Sequence, residues 1–148
     1  LHINPGLFTV CCIPEPKTGL EIKFSIRHCA AMALDGADTA ALDTYSDANA
    51  VDPRYVAGRG KVDLVPTEAI DRMATRVVIE TKDGRRLDAT YDAGTHETDL
   101  EVQGRKLASK FEALAPPIIG AQRAAELSHL IGALETASNI DKLMATAA

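Results

Sequence analysis

Ala74-Thr75-Arg76-Val77-Val78-Ile79-Glu80-Thr81-Lys82-Asp83-Gly84-Arg85-Arg86-Leu87-Asp88-Ala89-Thr90-Tyr91 is the stretch that separates a mixed fold from an all-helical one. Residues 74–81 are rich in β-branched side chains, which suit a pleated surface, and Val77 and Ile79 fall on one face. Lys82-Asp83-Gly84-Arg85 offers a glycine where a hairpin turn needs positive φ. Leu87, Ala89 and Tyr91 then alternate with polar neighbours over 86–91. The spacing predicts an antiparallel hairpin. Residues 1–4, stopped by Pro5-Gly6, and 61–65, ending at Pro66, add short strands. The sum is a small, mostly antiparallel sheet.

Outward from the hairpin the pattern changes period. Ile22, Ile26, Cys29, Ala30, Ala33 and Leu34 trace one helical stripe over 20–34. Thr18 with Glu21 forms a capping-box pattern before it, and Asp35-Gly36 closes it, although Ser25 can equally cap a shorter helix. Pro5, Gly6, Pro14, Pro16 and Gly19 mark residues 5–19 as a connecting loop, and a polar stretch with short helical turns runs on to Arg54. In the last third, Leu100, Leu107, Phe111 and Leu114 mark a helix ended by Pro116-Pro117. Ala124, Leu127, Leu130, Ile131 and Leu134 mark a second, and residues 140–144 a short third. No repeat and no internal boundary stands out. The predicted fold is α+β, one domain over 1–148, with helices packed on the sheet.

Composition narrows the function classes. With 148 residues, 46% of them hydrophobic, a core forms without disulfide or metal staples. A net charge of −5 gives no general attraction for a polyanion, so nucleic acid is not an expected partner. No apolar run approaches the roughly 18 residues that cross a bilayer, so no membrane partner is expected either. Three cysteines, an odd and sparse number, argue against a secreted disulfide scaffold and for a cytoplasmic setting. The chain opens on Leu1 within a β-like stretch, which reads as a piece of something longer.

Few residues invite chemistry. Cys11-Cys12 lacks the spacing of a zinc pair, and Cys29 sits on an apolar stripe, so all three read as small buried hydrophobes and no metal is expected. Gly58-Arg59-Gly60 precedes a strand rather than following one, so it is no dinucleotide loop. His129 falls about 200° from Leu127 and reads as a solvated imidazole; His96 lies in a polar loop, and His2 beside the chain start. His28 differs. Ser25 and His28 lie about 60° apart in helical projection, at the edge of the apolar stripe, with Lys23 and Arg27 on the other flank. A half-open helix edge presents a site residue, and it equally describes an ordinary boundary residue. Lys23 and His28, about 140° apart in one regular helix, share a cleft only if the helix begins near Ser25 and Lys23 precedes it in extended chain.

The run Thr18-Gly19-Leu20-Glu21-Ile22-Lys23-Phe24-Ser25-Ile26-Arg27-His28, continuing to Ala33-Leu34-Asp35-Gly36, resembles the "TGLEAKFSL…H/Y…ALALLDG" signature of the 2-methylcitrate dehydratase (MmgE/PrpD) family. The hairpin around Asp83-Gly84, the loop holding Gly94, and residues 107–114 (LASKFEAL) follow in matching order. Thr95-His96-Glu97-Thr98 replaces the family's "hPxNP" loop. The resemblance implies the smaller C-terminal lid of a longer enzyme whose larger helical N-terminal domain is absent here. It implies a homodimer in full-length form, no cofactor and no metal, and an interdomain cleft acting on small di- and tricarboxylates. Its activities include 2-methylcitrate dehydration, cis-aconitate decarboxylation and iminodisuccinate epimerisation. Histidine at position 28, with the run ALDGADTAALDTYSDA, looks closer to the epimerase-like branch than to the dehydratases.

Such reactions pass through a carbanion-like centre beside a carboxylate, so they need a base near neutral pKa and cations for the flanking carboxylates. His28 suits the base, since imidazole titrates near pH ~6.5. Lys23 or Arg27 suits the carboxylate, and Ser25 offers a hydrogen bond. The isolated chain is then expected to turn over little. Two other readings stand beside this one: a non-catalytic lid or dimerisation module, and a stand-alone α+β domain binding a small ligand.

Overall fold

A computed structural model describes every residue from Leu1 to Ala148. The chain forms two compact units: Leu1–Thr39 with Asp43–His96, and Ala40–Leu42 with Glu97–Ala148. The architecture is α+β, with a four-stranded, mostly antiparallel sheet in the first unit.

The hairpin forms as its alternation predicts. β3 (Ala74–Glu80) pairs antiparallel with β4 (Arg86–Asp92), placing Val77 opposite Ala89 and Ile79 opposite Leu87. Gly84, at φ +83°, turns the chain, and the Thr81 amide donates to the Arg85 carbonyl at 2.9 Å. β1 (His2–Ile3) pairs antiparallel with β3 and parallel with β2 (Val65–Pro66), giving the order β2-β1-β3-β4. The strand expected over 61–65 shrinks to Val65–Pro66 because the preceding helix claims the chain. The amides of Lys61 and Val62 still donate backward, to Gly58 and Arg59, at 3.0 and 3.1 Å.

The stripe over 20–34 is divided between two helices, and the second starts after Ser25, the alternative the sequence left open, although the Ser25 side chain makes no capping bond. α1 (Gly19–Ile22) begins with the capping box: Thr18 Oγ1 accepts from the Glu21 amide at 3.2 Å, and Glu21 accepts from the Thr18 amide at 3.3 Å. The chain then tightens into i→i−3 bonds from Lys23, Phe24 and Ser25. The Ile26 amide donates to Cys11 O at 2.9 Å, the bond a continuous helix would direct to Ile22. The Ile13 amide reaches Phe24 O at 2.9 Å, so residues 11–13 and 24–26 run antiparallel. Ser25 is extended (φ −126°, ψ 91°) and opens α2 (Ile26–Leu34). α2 ends at Gly36, φ +82°, where the Ala37 amide donates to Met32 O at 3.0 Å and the Gly36 amide to Ala33 O at 3.1 Å.

α3 (Asp47–Val51) and α4 (Pro53–Arg59) pack on α1 and α2. Ile22, Met32, Ala50 and Tyr55 form their core, with Cys29, Ala37 and Tyr45 against it. Two glycines permit this. A Cβ on Gly58 would lie 2.9 Å from Ala31 Cβ, and one on Gly19 only 1.8 Å from the Tyr45 carbonyl oxygen.

In the second unit, α5 (Leu100–Leu114) is capped by Asp99, and Pro116 opens α6 (Pro116–Ile119). α7 (Ala121–Gly132) buries Ala124 and Leu127. α8 (Asp141–Ala147) packs on it, and Arg123 Nε of α7 donates to Thr146 O at 2.6 Å. His129 is exposed on α7, as its helical phase predicts. No helix is long and apolar enough to cross a membrane.

Candidate functional site

The break between α1 and α2 distributes the four predicted residues over different environments. Lys23 falls on the C-cap of α1, in helical rather than extended backbone. It is exposed, with Nζ 5.2 Å from the centre of the Tyr45 ring. Ser25 is 1% exposed, and its Oγ donates to Ile13 O at 2.7 Å, fastening the 11–13 segment to the start of α2. Arg27 is half-buried, with Nε enclosed and without a hydrogen-bond partner.

His28 is 0% exposed, which corrects the expectation of a half-open edge for it and for Ser25. The edge position of His28 holds only for a helix running on from Leu20. The restart at Ile26 and the packing of α3 and α4 turn that edge inward. Nε2 lies 3.0 Å from the Asn49 carbonyl oxygen, an acceptor, so Nε2 carries the proton and donates. Nδ1 is left with its lone pair, enclosed and without a partner. The Tyr55 ring meets the imidazole edge-on at 5.9 Å. Burial pushes the imidazole pKa below its ordinary value; the Asn49 bond opposes this, and the Arg59 charge adds to it. His28 is therefore a neutral tie between α2, α3 and α4.

A groove of about 730 Å³ lies on the other side of α2, between that helix and the sheet, with Ala33, Leu34, Val62, Val77 and Ile79 among its lining. None of the four predicted residues lines it. The cysteines are free and half-buried rather than fully buried. Cys29 Sγ donates to Ile22 O at 3.2 Å, and burial raises the Cys12 and Cys29 thiols above their usual range. No three His, Cys, Asp or Glu side chains converge as a metal site would require. His96 is exposed, and His2 Nδ1 lies 3.2 Å from Thr67 Oγ1.

The MmgE/PrpD C-terminal domain family model matches residues 1–136. The chain belongs to that family. No curated protein matches it. The structure gives the signature of this MmgE/PrpD domain a physical content. Thr18 and Glu21 cap α1. Gly19 permits contact with Tyr45 and donates its amide to Asp47 Oδ1 at 2.8 Å. Ser25 fastens the break, His28 ties α2 to α3, and Asp35-Gly36 ends α2. Lys23 and Phe24 project outward from the break itself.

Sequence reading missed the partners of His28. Asn49 contributes only its backbone, which carries no sequence signal. Tyr55 and Arg59 stand one turn apart on α4, flanking the small Gly58 that lets the two helices touch. That spacing is a signal in the sequence for a helix that packs closely through Gly58.

Proposed function

We propose that this MmgE/PrpD domain is the C-terminal part of a cofactor-independent lyase or isomerase acting on small di- or tricarboxylates by proton abstraction next to a carboxylate. The family match over residues 1–136 carries the reading. Lys23 is the group suited to substrate. Its ammonium is exposed beside an aromatic face, at a backbone position fixed by the α1 cap and the Ser25 bond. An ammonium there is free to pair with a substrate carboxylate. Ser25 and His28 act through position, Ser25 by fastening the segment next to Lys23 and His28 by tying α2 to α3. Arg27 is a second candidate cation, and the acid/base pair comes from elsewhere in the natural protein. The epimerase-like branch is the narrower version, and a cytoplasmic homodimer with a helical N-terminal domain is the proposed setting.

The test is turnover by the natural protein with 2-methylcitrate, cis-aconitate and iminodisuccinate, followed by proton NMR in D2O. One of the three should be consumed or take up solvent deuterium beside a carboxylate. Lys23→Ala should lower kcat/KM at least about tenfold while leaving the melting temperature within about 1 °C. No turnover and no deuterium uptake with any of the three refutes the reading. The enclosure of Ser25 and His28 favours a second reading, in which this face only packs. Unchanged kinetics in both Lys23→Ala and Arg27→Ala would select it.

A further inference from the structure

We propose that His28 is a proton-operated latch: neutral, it holds α3 and α4 on α2, and when it takes a proton at Nδ1 it releases them. The geometry supplies each part. One ring nitrogen donates to Asn49 O of α3 at 3.0 Å, and the ring edge meets Tyr55 of α4 at 5.9 Å. The remaining nitrogen is fully enclosed with nothing to accept a hydrogen from it. Protonation at Nδ1 would create a buried, unpartnered N–H and a buried charge in one step, each costly without a partner.

The surrounding charges offer no relief. On α3, Asp47 is engaged with the Gly19 amide at 2.8 Å. On α4, Asp52 and Arg54 pair at 3.0 Å, and Tyr55 lends only its ring. Arg59 disfavours a charged imidazole, and its Nη1 is itself enclosed without a partner. On α2 the neighbours are Arg27, a cation, and Cys29, whose thiol is held protonated by burial. No carboxylate faces the ring to stabilise the imidazolium, so relief comes by opening to water.

The sign follows from linkage. Below about pH 6.5 the opened segment binds one proton more than the closed one, so the opening constant rises by up to about tenfold per pH unit. The experiment is hydrogen-exchange mass spectrometry of the intact natural protein at pH 7.5, 6.0 and 5.0, with rates corrected for intrinsic exchange. Peptides spanning 46–60 should lose protection at pH 5.0 relative to the 74–92 hairpin. In His28→Gln, whose amide still donates to Asn49 but cannot charge, the acid response should vanish. Equal protection of 46–60 at all three pH values, or the same acid response in His28→Gln, overturns the proposal. If that variant does not fold, ring-nitrogen NMR of the parent decides. An imidazole that charges near pH 6.5 while residues 46–60 stay protected overturns the latch; one that stays neutral until they open supports it.

Discussion

Gly19→Ala tests whether α1 is held by backbone contact rather than by its own helical preference. The residue sits at the first position of α1 with ordinary φ, so left-handed strain plays no part. Helix propensity alone predicts a gain of about 1 kcal/mol from replacing Gly by Ala. The structure predicts the reverse. The added methyl would sit 1.8 Å from Tyr45 O and 2.5 Å from Tyr45 C, backbone atoms that cannot swing aside. Forced repacking of this kind costs about 1–3 kcal/mol. Separating α1 from α3 also stretches the 2.8 Å bond from the Gly19 amide to Asp47, costing about 1 kcal/mol more at this half-exposed place. Net of the propensity gain, destabilisation is about 1–3 kcal/mol, or a fall in Tm of about 3–9 °C for a domain near this size. All three tyrosines, Tyr45, Tyr55 and Tyr91, belong to the first unit, so tyrosine fluorescence during a thermal or urea melt reads that unit selectively. A Gly19→Ala melt at or above the parental temperature would refute the contact argument and leave propensity in charge.

Gly104→Ala is the counterpart. Gly104 lies inside α5 with nothing within 4 Å of the added methyl, so a gain of about 0.5–1 kcal/mol is expected, read as a higher midpoint by circular dichroism at 222 nm. Ser25→Ala strips the Ile13 carbonyl of its 2.7 Å donor in a buried place and should cost about 1–2 kcal/mol by urea titration. Gly36→Ala has room for its methyl but forces φ +82° on a residue with a Cβ, costing about 1–2 kcal/mol in the same titration.

The contrast between Gly84 and Ser25 explains what was legible in the chain. Gly84 and its flanking strands interact over a few residues, so alternation and a turn glycine suffice to read the hairpin. The capping box at Thr18 and the stop at Gly36 are equally local, and both form as read. The break at 23–25 is different. Between Leu20 and Leu34 the apolar stripe argues for a continuous helix, and Ser25 as a candidate N-cap is the one local signal for a restart. What breaks it is a bond from the Ile26 amide to Cys11 O and another from Ile13 to Phe24 O, made by a segment a dozen residues away. Residues 11–13 signal the pairing only weakly, because it uses backbone atoms.

The same break bears on how the candidate residues divide their work. Had the helix run through, Lys23 and His28 would lie on opposite flanks, and no single cleft would meet both. With the helix broken at Ser25, the outward side of the break carries Lys23 and Phe24, while the inward side carries Ser25 and His28. A histidine with one nitrogen bonded to a backbone carbonyl and the other sealed from solvent has no path for exchanging a proton with a substrate. It can hold a segment in place. On the proposed reading, contact falls to the lysine and geometry to the serine and histidine, so substitutions on the two sides should separate. Lys23→Ala should change kinetics with the melting temperature unmoved, whereas Ser25→Ala should change stability first and kinetics only as the fold loosens. Parallel kinetic and urea measurements on the two variants check this, and a Ser25→Ala enzyme with full stability but lost activity would refute the division.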